Sequence, residues 1–328
     1  MPSFRKSDKM ETITPDKQDI LAAAQRIEPF IHRTPVLSSK LINEILDAKV
    51  YFKCENFQKA GAFKMRGATN AILTLSKDEL VIGVATHSSG NHAAALALAA
   101  RNIGVKAFIV MPSNSSTVKV DAVRQYGGII TFCEPNVIAR EEMLAKVVTE
   151  TMATEIHPYN NVRIIAGQAT AAKELIEQTE NLDIIMAPVG GGGLLSGTAL
   201  STAYFSPGTI VIAGEPMNAD DAWRSFQSGS IQPVSPLHTI ADGLRTSLGT
   251  ITFPIIHEHV KEIITVNEDS IIEAMRLIWM RMKIIVEPSS VVPLAAMMQQ
   301  KSTFKGKRVG IILSGGNVDL DHLPWNKI

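Results

Sequence analysis

The chain has 328 residues, 45% hydrophobic and 20% charged, with 32 basic and 32 acidic side chains and no net charge. That is enough apolar material for one large or two smaller cores, and without a basic excess nucleic acid is excluded as an expected partner. Two cysteines in so long a chain, a polar Met1–Lys17 segment, and apolar runs far short of about 20 residues point to a cytoplasmic soluble protein without disulfides, secretory signal or membrane span.

In chain order, the pattern predicts a helix over Pro15–Glu28, strands over Val50–Cys54 and Val81–Thr86, and a helix over Asn91–Asn102. The strand Ala107–Met111, the helix Thr117–Tyr126, the strand Ile129–Phe132 and the helices Ala139–Glu150 and Gln168–Glu180 follow. Then come the strand Asp183–Pro188, the helix Leu194–Ala203, the strands Ile210–Gly214 and Glu262–Val266, the helices Asp269–Met282 and Pro288–Gln300, and the strand Val309–Leu313. The strands are nearly continuous apolar runs, as expected when helices cover both faces of a sheet. The alternation predicts an α/β fold with mostly parallel sheets. No linker or repeat marks a domain boundary.

Four glycine-containing segments follow strands or lead into helices, where open α/β sheets bind ligands. Asn56-Phe-Gln-Lys-Ala-Gly-Ala-Phe-Lys-Met-Arg-Gly-Ala68 sets Lys59, Lys64 and Arg66 among small residues. These are either surface charges flanking a turn, or they include a desolvated lysine of lowered pKa, a nucleophile suited to an aldehyde. Thr86-His-Ser-Ser-Gly-Asn-His92 leads into a helix, so it is either an anion site for a carboxylate or a helix cap by Ser89 or Asn91. Pro188-Val-Gly-Gly-Gly-Gly-Leu-Leu-Ser-Gly197 suits a phosphate wrapped by backbone amides. A nicotinamide site is the rival there, and Glu215 lies where a ribose-binding acid would sit, but Gly-x-Gly-x-x-Gly fails in every register. Ile311-Ile-Leu-Ser-Gly-Gly-Asn317 places a serine at a strand end, either as a turn or as a partner for a heterocycle nitrogen. A fifth segment, Glu215-Pro-Met-Asn-Ala-Asp-Asp221, is either a solvated acidic turn or a hard-cation site.

In this order the segments resemble the fold-type II pyridoxal-phosphate (PLP) enzymes, specifically the serine racemase and serine/threonine dehydratase (ammonia-lyase) branch. The resemblance runs from about Ile31 to Asp319 and takes in His32-Arg-Thr-Pro-Val36, Ile165-Ala-Gly-Gln168, Thr239-Ile-Ala-Asp-Gly243 and Arg281-Met-Lys-Ile-Ile-Val-Glu-Pro288. It implies two open, mostly parallel twisted sheets of the tryptophan-synthase β type. A large domain would comprise residues 1–82 with 161–328, and a small mobile domain residues 83–160.

The resemblance also implies roles. Lys64 would carry PLP in a Schiff base, with Phe63 lining its pocket. Asn91 would bond the cofactor's 3-oxygen, Gly190, Gly191, Gly192, Gly193 and Leu194 would hold its phosphate, and Ser314 would face the ring nitrogen. Ser88, Ser89, Gly90 and Asn91 would grip the substrate carboxylate. Glu215, the Ala219 carbonyl and Asp221 would hold Mg²⁺, Ca²⁺ or Mn²⁺. Lys64 and Ser89 would be catalytic: one proton carrier gives elimination, and two on opposite faces give racemisation. The implied activity is dehydration of L-threonine, L-serine or a related β-hydroxy-amino acid to a 2-keto acid and ammonia, with serine racemase activity and 3-hydroxyaspartate dehydration as alternatives. A homodimer is implied as well. Departures stand at Ala60 and Ala94, where animal racemases carry a threonine and a glutamine near bound nucleotide, so ATP activation is not expected.

Overall fold

A computed structural model describes residues 14–234 and 238–325. The polar segment Met1–Lys17 therefore lies mostly outside the described residues. Among the described residues, ten strands form two sheets. They are β1 Val36–Leu37, β2 Lys49–Cys54, β3 Val84–His87, β4 Ala107–Pro112, β5 Ile129–Cys133, β6 Thr154–Glu155, β7 Ile184–Pro188, β8 Ile210–Pro216, β9 Glu262–Val266 and β10 Arg308–Leu313. The larger sheet has the order β1-β2-β10-β7-β8-β9 and is parallel except for β1 against β2. The smaller has the order β5-β4-β3-β6 and is parallel throughout. This is the expected α/β class with two mostly parallel sheets.

Helices cover both faces of each sheet, which is why the central strands are apolar on both sides. All five residues of β7 are buried. One face of the large sheet meets the helices Glu268–Met282 and Pro288–Gln299; the other carries apolar residues of Val162–Gln178 and Gly193–Phe205. The small sheet lies between the helices Asn91–Asn102 and Thr117–Gln125 on one side and Val137–Thr151 on the other. Cys54 and Cys133 are both free and buried. Among the described residues no helix is long and apolar enough to cross a membrane.

Three departures from the sequence reading have local causes. Val81 and Ile82 end a helix, Lys77–Ile82, rather than begin a strand. Ser76 and Glu79 form a reciprocal capping box, and Gly83 stops the helix at φ +117°. β5 is an edge strand, with Ile129 and Phe132 exposed rather than buried. Helix Val162–Gln178 begins six residues before the expected Gln168, because Asn161 accepts from the Arg163 and Ile164 N–H groups. The sequence reading also missed the helices Lys40–Leu46, Lys64–Leu73, Asp221–Ser228, Thr252–His259 and Lys301–Phe304, and the two-residue strands β1 and β6.

Helices Lys64–Leu73, Val162–Gln178 and Gly193–Phe205 pack backbone to backbone. A Cβ on Gly167 would lie 2.6 Å from the Arg66 carbonyl oxygen, and one on Gly197 2.6 Å from the Ala169 nitrogen. The first and third of these helices start at the same cavity, and their contact with the middle one fixes where they start.

Candidate active site

A cavity of about 370 Å³ opens at the carboxyl ends of β3, β7 and β10. Its volume falls in the range of about 300–1,000 Å³ typical of small-molecule sites. Phe63, Lys64, Ser88, Ser89, Gly90, Asn91, Gly190, Gly191, Gly192, Gly193, Leu194 and Ser314 all line it.

Lys64 opens the helix Lys64–Leu73. The stretch before it is pinned to the end of β10, where Phe63 N–H donates to the Ser314 carbonyl (2.9 Å) and Ala62 bridges Gly315. That pairing brings the lysine and the strand-end serine together from 250 residues apart in sequence. Lys64 Nζ donates to the Pro158 carbonyl at 2.8 Å and lies 5.2 Å from the Phe63 ring centre. Burial lowers its pKa to about 8, partly opposed by the charge of Glu287. At pH 8 roughly half of such amines are neutral, against well under 1% for an ordinary lysine. Lys59 does not line the cavity. Arg66 is neither a surface charge nor a nucleophile: it is fully buried, bonded to Glu55 and Glu174.

The four glycines pass from β7 into the helix Gly193–Phe205, with Gly192 at φ +90°. Their lack of side chains is steric as well as conformational. A Cβ on Gly191 would lie 2.3 Å from the Tyr159 ring, and one on Gly190 2.8 Å from the Leu244 Cα. The loop thus presents bare backbone at a helix N-terminus, the arrangement that receives a phosphate. Ser314 is buried, its hydroxyl 3.1 Å from Ser290 Oγ.

Between β3 and the helix Asn91–Asn102, neither Ser89 nor Asn91 caps the helix. Gly90 occupies the cap position and no side chain bonds there. Ser88 Oγ instead accepts from the Gly90 N–H at 3.3 Å. The first N–H groups of this helix therefore stay available for an anion.

Several lining residues escaped the sequence reading. Glu287 is 4% exposed and accepts from Asn91 Nδ2 at 2.9 and 3.1 Å. Its signal was a lone acid in the apolar run Ile284–Val286 ahead of Pro288. His157 Nδ1 accepts from the Tyr159 and Asn160 N–H groups, so its proton sits on Nε2. Burial holds that ring neutral, with a pKa of about 4, and the neighbouring His87 and Lys64 charges act in the same direction. Arg140 lines the cavity without a salt-bridge partner among the described residues, and Glu141 lies beside it. Lys119, from the small-sheet side, forms an ion pair with Asp242.

Glu215, Ala219 and Asp221 lie outside this cavity, where β8 ends and the helix Asp221–Ser228 begins. Both Glu215 oxygens accept backbone N–H groups, from Ala222 and Trp223 at 2.8 Å. Neither buried Asp221 oxygen has a well-formed hydrogen bond among the described residues. Burial raises both carboxyls, Asp221 to about 7, and the charge of Asp221 raises Glu215 further. Among the described residues no three His, Cys, Asp or Glu side chains converge as for a metal; this site has two.

The residues fit PLP. A pocketed lysine of lowered pKa suits its aldehyde, a loop with no room for Cβ atoms suits its phosphate, and a buried strand-end serine suits its ring nitrogen. Known proteins agree. The chain is 52% identical over 312 residues to the beta-hydroxyaspartate dehydratase of Paracoccus denitrificans, covering 95% of this chain and 99% of that one. The crystal structure of serine racemase from Dictyostelium discoideum superposes with a TM-score of 0.89 at 50% identity, covering 94% of this chain and all of that one. The crystal structure of a threonine deaminase from T.th. does so with a TM-score of 0.89 at 42% identity, covering 93% and 99%. Residues 27–315 match the family described as "Pyridoxal-phosphate dependent enzyme", and the chain belongs to that family.

Proposed function

We propose that the protein is an ammonia-lyase that converts a β-hydroxy-amino acid to a 2-keto acid and ammonium, with 3-hydroxyaspartate preferred over serine and threonine. The observation that carries this preference is Arg140, a cavity-lining guanidinium without a salt-bridge partner among the described residues. A second substrate carboxylate would pair with it, whereas threonine's methyl group would meet charged and polar neighbours. The relative at 52% identity bears the name of such a dehydratase.

PLP, when bound, draws electrons from the substrate's Cα–H bond. Lys64 Nζ removes the Cα proton, and its lowered pKa leaves the amine free to accept it. Ser88, Ser89, Gly90 and Asn91 hold the α-carboxylate against the helix N-terminus. Gly190 to Gly193 and Leu194 would hold the phosphate, and Phe63 would wall the ring. Ser314 would bond the ring nitrogen without a charge to keep it protonated. The hydroxyl leaves Cβ as water with the proton that Lys64 took from Cα, and the released enamine tautomerises to an imine whose hydrolysis by water gives the 2-keto acid and ammonium. Ser89 lines the same cavity as Lys64 and supports a second reading, serine racemisation, in which its hydroxyl would serve as a second proton carrier.

The assay measures keto acid and enantiomer from L-serine, D-serine, L-threonine and 3-hydroxyaspartate. We expect kcat/KM for 3-hydroxyaspartate to exceed that for serine by at least about tenfold, and Arg140→Met to erase the difference. Ser89→Ala is expected to remove racemisation while elimination persists. No keto acid from any of the four compounds would sink the lyase reading.

The small sheet, within residues 83–160, is proposed as a mobile domain closing on residues 1–82 with 161–328, latched by Lys119 and Asp242. A homodimer and a cytoplasmic setting belong to the same reading. We further propose that Glu215, the Ala219 carbonyl and Asp221 bind Mg²⁺, Ca²⁺ or Mn²⁺, which would relieve two adjacent buried carboxylates and supply partners for the Asp221 oxygens. Saturation a hundredfold above Kd adds about 2.7 kcal/mol of stability. A melting temperature that rises with one of these ions and falls with chelator is expected; no shift with any of the three would count against the site.

A further inference from the structure

Glu287 has no role in the chemistry above, yet it is a buried carboxyl in the wall of the site. It is the residue before helix Pro288–Gln299 and caps nothing with its side chain. Both oxygens face Asn91 Nδ2, and one also accepts the Asn317 N–H at 3.2 Å. Asn317 in turn donates through Nδ2 to Asn91 Oδ1 (2.9 Å) and to the Ala60 carbonyl (2.8 Å).

This chain of bonds has one direction. A backbone carbonyl only accepts, so the Asn317 group facing Ala60 is its amide nitrogen. That nitrogen also reaches Asn91, so the Asn91 atom facing it is oxygen. The Asn91 nitrogen must then point to Glu287, whose ionised carboxylate only accepts. The orientation of the Asn91 amide follows from acceptor-only groups at both ends, not from the ambiguous shape of an amide. One N–H of Asn91 is taken by Glu287, and the other remains.

We propose that Glu287 is a positioning residue for the cofactor: it turns the Asn91 amide so that an N–H, not the carbonyl, is offered to the ring oxygen, and it places a titratable charge opposite Lys64. This rests on the role that the family resemblance implies for Asn91, a bond to the cofactor's 3-oxygen. Three charged groups face Glu287: Lys64 from helix Lys64–Leu73, Lys119 from helix Thr117–Gln125, and Asp242 from the turn Asp242–Leu244. Burial and Asp242 raise the carboxyl to about 7, against the pull of Asn91, Lys119 and the Asn317 N–H. Glu287 is thus ionised above neutrality and increasingly protonated below it. A protonated carboxyl donates from one oxygen and holds Asn91 less firmly.

The test uses the holoenzyme and two readouts besides turnover: cofactor Kd, and the pH dependence of the cofactor's visible band across neutrality. Glu287→Gln is nearly isosteric, and its thermal melt reports folding. We expect it to weaken cofactor binding about tenfold and to flatten the pH dependence of the band. Glu287→Asp is expected to restore the pH dependence with a shifted midpoint. Wild-type Kd and wild-type pH dependence in Glu287→Gln would overturn the proposal. Asn91→Ala separates the two levels of inference: an unchanged band and Kd in that variant would overturn the assignment of Asn91 to the ring oxygen, whatever Glu287→Gln shows.

Discussion

Replacing Lys64 by alanine is expected to lower turnover at least about 10³-fold and to leave no cofactor attached to the protein after borohydride reduction. Two functions converge on this one amine. In the proposed function it is the covalent anchor and the base that accepts the Cα proton, and general-base catalysis alone is worth about 10²- to 10⁴-fold. The surroundings are built around it. The preceding residues are clamped to Ser314 and Gly315, burial brings the amine to a pKa of about 8, and Glu287 limits that fall. Lys59→Ala is the matched control, because Lys59 sits in the same glycine-containing turn but off the cavity. Mass spectrometry of the reduced protein should find the adduct on the Lys64 peptide in wild type and in Lys59→Ala. A retained adduct in Lys64→Ala would refute the assignment.

The largest effect on stability is expected two residues further on. Arg66→Met should cost about 3–5 kcal/mol, read as a lower denaturant midpoint, because it leaves buried Glu55 without a cation and takes one of two cations from Glu174. Arg66 donates to Glu55 from Nε (2.7 Å) and Nη2 (2.8 Å), and to Glu174 from Nη1 (2.7 Å) and Nη2 (2.8 Å). Lys53 Nζ bonds Glu174 at 2.5 Å and also the Thr34 carbonyl and Gln178, while Thr34 Oγ1 donates to Glu55. Two cations and two anions thus balance within a dry layer between β2 and the helices Lys64–Leu73 and Val162–Gln178. Arg66→Met combined with Glu55→Leu should cost less than the sum of the two single changes, since the uncompensated charge is the main penalty. A cost below about 1 kcal/mol for Arg66→Met would mean the cluster relaxes or admits water.

Sequence carried the parts of the site that chemistry restricts to few residue types. Four consecutive glycines have little other use, and the structure gives each of Gly190 and Gly191 a wall that a Cβ would strike. Apolar strands were legible because helices cover both sheet faces. Lys64 was legible only as one of three basic residues until order and resemblance singled it out. Its helix went unnoticed, because Lys64–Leu73 contains Gly67 and buries polar Arg66, Thr69 and Asn70, which blurs the amphipathic period. Glu287, His157 and Arg140 were hidden for another reason. Each is a single residue in an ordinary run, and only the folding of distant segments onto one cavity gives it a partner. The Glu215–Asp221 cluster was legible as acid, but its burial was not, and burial turns a solvated turn into a strained pair.

The glycine contacts between helices make a ruler of the scaffold. Lys64 and the tetraglycine loop stand at the heads of two helices fused to the same third one, so the spacing between the proposed covalent anchor and the proposed phosphate seat is a fixed length. The residues proposed to meet the substrate carboxylate follow β3 of the small sheet, and their helix Asn91–Asn102 meets Lys64–Leu73 through a core of side chains, a more yielding contact than bare backbone. Tolerance to change should divide accordingly. Bulk added at Gly67, Gly167 or Gly197, outside the cavity, would stretch the ruler and empty the protein of cofactor. Changes around Ser88, Ser89 and Arg140 would leave cofactor seated and retune which amino acid is accepted.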